Sequence, residues 1–390
     1  MESRVVVVGA GAAGLAAAAA AGRGTLVLEK MERPGMKLLI SGGGRCNVTS
    51  DASAREVVAA FGPGGRFLHN ALGVFPPDRI RDWLSEAGVP THVEMPERKV
   101  FPDSGRARDV VEAVVTRVKT AGAEFRLGAP VTALSRNGKG WRLQTPQGEI
   151  LAGSVILTAG GKSYPKTGTT GDAYAWLSAL GHRIVPLRPA LSPWTVDLPW
   201  VHALSGLTLD DAAVALDVSG SPSERGGFLF THHGVSGPAP MNLTRWLPRD
   251  SSPPYRLLLD PLPDVRDVGL AMQLKKSGLR GLLPARLTGV LSGLLPEKPP
   301  AQWSREELSE TVRRLKAVPL EPAFPMGFDK AEVTQGGVAL DEVDPKTMES
   351  KLAPGLYVAG ELLDLEGPIG GYNLAAAWAT GWAAGLAASG

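Results

Sequence analysis

The stretch Gly9-Ala-Gly-Ala-Ala-Gly14 decides the fold of this chain. It follows the apolar run Val5–Val8 and precedes a helical pattern over Leu15–Ala21, and a second apolar run, Thr25–Leu28, comes directly after. Continuous apolar runs are typical of parallel strands that are covered by helices on both faces. The order strand, glycine turn, helix, strand therefore predicts a βαβ unit at the beginning of an α/β fold.

The glycines of this turn and one later acid match the pattern that binds a dinucleotide. The tight turn requires Gly9, close approach of a pyrophosphate requires Gly11, and tight packing of helix on strand requires Gly14. Glu29, at the end of the second run, stands where a carboxylate accepts hydrogen bonds from ribose hydroxyls. An acid here argues against a 2′-phosphate, but the motif alone does not distinguish FAD from NAD.

Composition sets the broad class of protein. A chain of 390 residues exceeds what one hydrophobic core usually serves, so two to three domains are expected. Hydrophobic residues make up 44% and charged residues 21%, as is typical of soluble globular proteins. The formal net charge of +2 argues neither for nor against nucleic acid; because no RNA-binding module is recognisable, we expect no nucleic-acid partner.

Two alanine-rich runs, Ala16–Ala21 and Leu374–Ala388, could be mistaken for membrane segments. The first is too short to span a bilayer and the second is broken by two glycines and a threonine, so we expect buried helices and no membrane partner. The first four residues lead straight into a strand pattern without the features of a signal peptide. With a single cysteine, which excludes an internal disulfide, this favours a cytoplasmic protein.

Composition and secondary-structure patterns change along the rest of the chain. Helical patterns cover residues 78–87 and 109–120, and strand patterns cover 131–134, 140–145 and 149–157. A glycine-rich stretch at 37–47 predicts a loop, and 158–165 predicts another glycine turn at a strand end. Prolines and short runs become frequent from 191 to 329, around a helical section at 265–315. This shift predicts an inserted domain, after which the glycine-rich, strand-like style returns.

Three later segments are distinctive: Ile40-Ser-Gly-Gly-Gly-Arg-Cys-Asn-Val-Thr49, Gly227-Phe-Leu-Phe-Thr-His-His-Gly-Val-Ser-Gly-Pro238, and Gly355-Leu-Tyr-Val-Ala-Gly-Glu-Leu-Leu-Asp364 followed by Gly370-Gly-Tyr-Asn373. With them the sequence resembles, over essentially its full length, the BaiN-like flavoprotein family, which includes aminoacetone oxidase and bile-acid enone reductases. The resemblance implies an α/β fold in which a discontinuous Rossmann-like domain, residues 1–190 and 331–390, binds FAD non-covalently. It also implies an inserted β-barrel-like domain, 191–330, that carries a small helical subdomain at about 264–315.

The resemblance also implies which residues lie along the FAD. The segment from Ser41 to Asn47 would follow the flavin and its phosphates, and Arg45 would supply charge for a phosphate or for the pyrimidine edge of the flavin. The residues expected to bind the cofactor are Gly9, Gly11, Ala12, Ala13, Gly14, Glu29, Lys30, Lys37, Ser41, Gly42, Gly43, Arg45, Asn47, Val131, Ala159, Gly160, Gly161, Gly360, Glu361, Gly371, Tyr372, Asn373 and Leu374.

The carboxyl-terminal motifs look like a second FAD fingerprint. An apolar strand ends in Gly360, and Glu361 would accept hydrogen bonds from the ribityl chain. Asp364 lies close by, so which of the two acids reaches the flavin stays open. The segment 370–373 precedes a helical run, and a helix N-terminus near N1 of the flavin stabilises the negative charge of the reduced form.

His232 and His233 are the expected candidates for proton transfer or substrate binding, because histidine titrates near neutral pH. Hydrogen-bonded core residues are the alternative interpretation. We expect no metal site, since the remaining histidines lack ligand spacing; they are His69, His92, His182 and His202. Two further features stay open between a role at the cofactor and a structural one: the run Lys162-Ser-Tyr164, and Cys46.

The expected chemistry is hydride transfer through flavin N5 on a small molecule. Reduction of an activated C=C bond with NAD(P)H as donor is favoured; an amine oxidase that uses oxygen, a flavoprotein of RNA modification and a redox sensor are the alternatives. No second strand–GxGxxG–helix unit is present for a resident nicotinamide, so NAD(P)H would bind transiently. The sequence does not indicate the substrate or the oligomeric state.

Overall fold

The computed structural model describes residues 2–218, 220–248 and 250–390. Its contacts divide the chain into two units, Met1–Arg188 with Glu332–Gly390, and Pro189–Ala331. Each unit encloses a hydrophobic core of its own. The first unit is therefore assembled from two segments that are far apart in sequence.

Both units contain strands as well as helices. In chain order, the strands of the described residues are β1 (Glu2–Val8), β2 (Thr25–Leu28), β3 (Thr49–Ser50), β4 (Thr91–Glu94), β5 (Lys99–Pro102), β6 (Glu124–Arg126), β7 (Ala133–Asn137), β8 (Gly140–Thr145), β9 (Gly148–Leu157), β10 (Ile184–Ala190), β11 (Trp194–Val196), β12 (Thr208–Leu216), β13 (Ser223–Thr231), β14 (Gly234–Ser236), β15 (Tyr255–Asp260), β16 (Val318–Pro325), β17 (Val333–Val338) and β18 (Leu356–Val358). The α-helices are α1 (Ala12–Ala21), α2 (Met36–Ile40), α3 (Ala54–Ala60), α4 (His69–Val74), α5 (Pro77–Glu86), α6 (Ala107–Thr120), α7 (Asp172–Ala179), α8 (Pro199–Ala203), α9 (Pro238–Leu243), α10 (Asp267–Ser277), α11 (Ala285–Leu291), α12 (Arg305–Leu315) and α13 (Tyr372–Ser389).

The main sheet of the first unit has the strand order β6-β2-β1-β9-β8-β7, with β18 beside β9. Strands β6, β2, β1, β9 and β18 are parallel, whereas β7 and β8 pair antiparallel. Every residue of β2 is buried, as expected for a strand with both faces covered. This arrangement confirms the predicted Rossmann-type α/β fold.

Helix α13 packs against α1 through two glycines that permit very close approach. A Cβ atom added at Gly381 would lie 2.1 Å from the carbonyl oxygen of Ala13, and one added at Gly385 would lie 2.2 Å from that of Ala17. Both alanine-rich runs are thus parts of helices with many buried residues. No helix in the described ranges is long and apolar enough to cross a lipid bilayer.

The second unit contains a closed antiparallel barrel with the strand order β11-β14-β13-β12-β15-β16. Alternate residues of its strands point inward and are buried, for example Val214 and Leu216 on β12 and Leu257 and Leu259 on β15. Helices α10, α11 and α12 lie between β15 and β16 in the chain. The expected β-barrel-like insertion is therefore confirmed.

Several local boundaries differ from the sequence predictions. Helix α1 begins at Ala12, inside the glycine motif, because the motif itself supplies the first helical turn. Residues 37–40 of the predicted loop belong to α2, whose Leu38 packs into the core, and the glycines that follow form a tight turn in which Gly42 and Gly43 have positive φ. The strand predicted at 131–134 is observed as β7, which begins at Ala133.

Candidate cofactor site at the carboxyl edge of the main sheet

The parallel strands of the main sheet end in register. Val8 pairs with Leu28 on one side and with Leu157 on the other, Leu28 pairs with Arg126, and Leu157 pairs with Val358. The loops that follow these residues therefore start side by side along one edge of the sheet. In open α/β sheets ligands bind at this carboxyl edge, so the register itself brings the distant glycine motifs together.

The first glycine turn has the geometry that a bound pyrophosphate requires. Gly9 has a φ of +103°, and a Cβ at Gly14 would lie 1.8 Å from the carbonyl oxygen of Gly9, so larger residues are excluded at both positions. In contrast, a Cβ at Gly11 would meet no described atom within 4 Å. Gly11 precedes Ala12, the first residue of α1. The backbone is thus open to a ligand at the amino end of the helix, as a phosphate group needs.

Glu29 is held at this edge by two backbone amides. Its Oε2 accepts a hydrogen bond from the amide of Ala10 at 2.7 Å, and its Oε1 accepts one from Met31 at 2.9 Å. The carbonyl of Glu29 accepts from Ala129, in the loop that also contains the buried Val131. A carboxylate has further acceptor positions, so Glu29 can still accept from ribose hydroxyls.

The expected site residues Lys37 and Glu361 meet in one polar network. Lys37 Nζ lies 2.6 Å from Glu361 Oε2 and 2.6 Å from Ser163 Oγ, which itself donates to Glu361 Oε1 at 2.6 Å. The amide of Thr334 donates to Glu361 Oε1 at 2.8 Å. Burial, and then the nearby Glu361, raises the pKa of the Tyr174 hydroxyl, which donates to the backbone of Glu361. The network joins segments that follow β9 and β18 to β17 and α2.

Glycines make this close assembly possible. A Cβ at Gly161 would lie 2.3 Å from Thr334 Oγ1, and one at Gly360 would lie 2.8 Å from the Cβ of Ala13. Gly160 and Gly360 both have positive φ, at +73° and +71°. The two motifs that the sequence places 200 residues apart thus lie at neighbouring positions of the edge.

Lys30 and Arg45 are held by carboxylates of the protein. Lys30 Nζ lies 2.7 Å from Asp172. Arg45 forms two hydrogen bonds with Glu94, at 2.6 and 3.0 Å, and stacks over the ring of Phe101 with 3.8 Å to its centroid. The hydrogen bond from Arg45 lowers the pKa of Glu94. A ligand that contacted either cation would have to share it with the paired carboxylate or displace that carboxylate.

The rest of the segment 41–47 is tied to its own surroundings. Ser41 Oγ donates to the carbonyl of Leu38 at 2.8 Å, and the buried Asn47 accepts from the amide of Val100. Gly42 and Gly43 have φ values of +55° and +68°. A Cβ at Gly43 would meet no described atom within 4 Å, so this glycine also presents open backbone.

Helix α13 begins at the fourth motif. A Cβ at Gly371 would lie 2.3 Å from the carbonyl of Thr49, so only glycine fits there. Asn373 accepts from the amide of Gly367 at 2.8 Å and donates back to its carbonyl at 2.9 Å. These bonds fix the loop that leads to Tyr372, and Leu374 follows half-buried in the first turn of the helix.

The histidines and the cysteine occupy different environments. His232 and His233 are exposed in the turn between β13 and β14 of the second unit. Cys46 is fully buried, and burial raises the pKa of its thiol to about 11. Among residues 2–218, 220–248 and 250–390, no group of three or more His, Cys, Asp or Glu side chains is placed to hold a metal ion.

Two threonines of the site were missed by the sequence analysis. Thr334 Oγ1 accepts from the amides of Lys162 and Ser163, at 2.7 and 3.2 Å. Thr158 Oγ1 donates to the carbonyls of Val8 and Gly9, and so fixes the start of the glycine turn. The glycine pair after Thr334 was an available signal, but its partners lie about 170 residues away in the sequence.

A Rossmann-type sheet, a glycine turn open to a ligand and an inserted barrel fit the class of FAD-dependent oxidoreductases, and the comparisons with known proteins support that class. A family model described as the HI0933-like protein Rossmann domain matches residues 3–387. The chain belongs to this HI0933-like family, which confirms the resemblance found in the sequence.

The proteins that are similar to this chain are named for different substrates. A 3-dehydro-bile acid delta(4,6)-reductase from Clostridium scindens is 31% identical, and the match covers 99% of each chain. A ribosomal RNA dihydrouridine synthase from Escherichia coli is 30% identical over 97% of this chain and 96% of its own. Among solved structures, a 3-ketosteroid-delta4-(5alpha)-dehydrogenase from Rhodococcus jostii has a TM-score of 0.53 at 16% identity, with 100% of this chain and 97% of the other covered.

Proposed function

We propose that the chain binds FAD at the carboxyl edge of the main sheet and reduces a C=C bond conjugated to a carbonyl group, with NAD(P)H as the electron donor. One observation carries the reaction. The name of the bile-acid reductase describes double bonds that are conjugated with a 3-oxo group. The name of the dihydrouridine synthase describes saturation of uracil, whose C=C bond is conjugated with a carbonyl group. The two names describe one reaction type on very different substrates.

The residues at the edge fit FAD. Gly11 and the first amides of α1 would face the pyrophosphate, and Glu29 would accept from the ribose of the adenosine half. When bound, FAD supplies hydride transfer through its N5 atom. Gly371 and the first amides of α13 would stabilise negative charge at the pyrimidine side of the flavin. Glu361 would position the ribityl chain while it keeps its bond to Lys37.

The reaction also needs a proton at the carbon next to the carbonyl group. His232 and His233 are our candidates for supplying that proton or for holding the substrate, because both imidazoles are exposed and histidine side chains serve as general acids. Substitution of each by Gln tests the assignment. Substitution of the catalytic histidine should lower kcat and change the pH profile of kcat. Substitution of the neighbouring histidine should leave both unchanged.

Two substrate classes fit the proposed reaction, a small molecule and RNA. The bile-acid reductase supports a small, steroid-like enone, and the dihydrouridine synthase supports a uracil base in RNA. Both require the same electron transfer, so the reaction can be tested before the substrate is known.

The test is an anaerobic half-reaction series on the purified full chain after reconstitution with FAD. Addition of NADPH or NADH should bleach the flavin bands near about 370 and 450 nm, and a steroid 4-en-3-one added next should restore them. Failure to bind FAD contradicts the proposed cofactor. Bleaching by an amine, with reoxidation by oxygen but not by enones, contradicts the proposed reaction and supports an amine oxidase.

A further inference from the structure

Helix α10 of the second unit presents an exposed face that its own fold does not use. Val268 and Met272 are 74% and 70% exposed, and they lie four residues apart, on one side of the helix. Leu270 and Leu274, on the opposite side, are fully buried. The apolar side chains on the outer face thus remain in water in the isolated chain.

Cations continue this face at the end of the helix. Lys275 and Lys276 follow Met272 by three and four residues, and Arg280 stands just beyond the helix. All three cations are exposed. Within the part of the chain that the structure describes, none of them has an acidic partner. We call the five side chains the α10 surface: Val268, Met272, Lys275, Lys276 and Arg280.

Two acids of the same helical region are paired with other cations. Glu307 pairs with Lys298 at 2.8 Å, and Glu310 pairs with both Arg313 and Arg314. The acid of α10 itself, Asp267, lies in the first turn of the helix, two turns before Lys275. These acids therefore leave the charges of Lys275 and Lys276 unpaired at the end of α10.

Helix stability alone does not explain this surface. Lysines in the last turn interact favourably with the helix dipole, which accounts for Lys275 and Lys276 in part. It does not account for Arg280 beyond the helix, or for the exposed Met272 and Val268, which lie one and two turns earlier. Free cations beside apolar side chains match an unpaired nucleic-acid strand, whose phosphates are anionic and whose bases have apolar faces.

We propose that the α10 surface is a docking site for single-stranded RNA, with Lys275, Lys276 and Arg280 on the phosphates and Val268 and Met272 against a base. The docking site rests on the proposed function and selects, from its two substrate classes, the RNA for which the dihydrouridine synthase is named. The surface would hold the strand near its backbone and leave recognition of the reacting base to the rest of the protein.

The experiment compares the full chain, reconstituted with FAD, with the triple variant Lys275→Gln, Lys276→Gln, Arg280→Gln. Binding of a fluorescein-labelled oligouridine of about 20 nucleotides is measured by anisotropy over a range of salt concentrations. A matched control removes three exposed cations of the first unit, Arg55→Gln, Lys119→Gln, Lys139→Gln. Reduction of a steroid 4-en-3-one is measured for all three proteins.

The triple variant should bind the oligouridine at least about tenfold more weakly near 0.1 M salt, with a log–log salt slope smaller by about 2. The control variant should bind like the wild type, and enone reduction should be the same in all three. Equal RNA binding by wild type and triple variant overturns the docking site, and so does binding to phosphatidylglycerol vesicles in place of RNA. If no protein reduces the enone but RNA binding still depends on the three cations, the proposed reaction with this substrate fails and the docking site stands.

Discussion

At the scale of single residues, the glycines of the first turn differ in what surrounds the position of a Cβ atom. Gly9 and Gly14 are required by the protein's own backbone, whereas Gly11 faces open space with an ordinary φ of −79°. An alanine at position 11 is therefore compatible with the fold but would occupy the space proposed for the pyrophosphate.

We predict that Gly11→Ala raises the dissociation constant for FAD at least about tenfold. The melting temperature of the protein without FAD should stay unchanged, since the new methyl group meets no protein atom. Flavin fluorescence titration measures the first quantity and circular dichroism the second. Gly73→Ala, at another open helical glycine, is the control and should bind FAD normally. Normal FAD binding by the Gly11 variant would refute the placement of the pyrophosphate.

Lys37 and Glu361 form the most connected ion pair of the site. Lys37→Met should leave Glu361 partly buried without its cation, and should lower the free energy of unfolding by about 1–3 kcal/mol. Urea denaturation monitored by tryptophan fluorescence measures this loss. Lys139→Met, in an exposed hairpin turn, should have no measurable effect. Equal stability of the two variants would show that the network does not stabilise the fold.

Burial of Cys46 predicts a pH dependence of stability. The folded protein raises the pKa of the thiol from 9.0 to about 11, so the folded state keeps a proton that the unfolded state loses in this range. The stabilisation is complete below pH 9 and is lost as the pH rises through 11, by about 2–3 kcal/mol in total. Urea titrations from pH 8 to 11 should show this extra loss in the wild type relative to Cys46→Ala. Parallel curves for the two proteins would contradict it.

At the scale of elements, the contact of α13 with α1 depends on glycines. Gly381→Ala would push a methyl group against the backbone of Ala13, which cannot move without shifting α1 and its glycine motif. We predict a loss of about 1–3 kcal/mol in unfolding free energy, together with weaker FAD binding. Denaturation and flavin titration measure the two effects, with Gly73→Ala again as the control. A stable variant with weak FAD binding would mean that the contact serves the site rather than the fold.

At the scale of the whole molecule, each unit has its own hydrophobic core. We therefore predict that the two units unfold in separate transitions. In the second unit Lys316 Nζ lies 2.6 Å from Asp260 and donates to the carbonyls of Leu262 and Val265, so it ties the helical region to the barrel. Lys316→Met should lower the calorimetric transition of the second unit, whereas FAD should raise only that of the first. One transition that moves as a whole in both experiments would contradict independent units.

Much of the first unit was predictable, because its signals are local in the chain. The glycine turn, the buried strands and Glu29 occur within 25 residues, and the spacing reflects a single βαβ unit. Amphipathic patterns located α5 and α6 to within two residues. The insertion was visible as a change in composition, because short barrel strands and prolines differ from long buried strands.

The sequence by itself determined the βαβ beginning, the likeness to the family and the identity of the glycines. Only the tertiary structure decided that Lys37, Ser163, Thr334 and Glu361 meet, because the in-register ends of parallel strands join loops that are up to about 320 residues apart. It also decided that Arg45 pairs with Glu94, since a sequence shows a charge but not its nearest partner. Neighbouring residues in the sequence determine local backbone preferences, whereas a polar network depends on which strands lie side by side in the sheet.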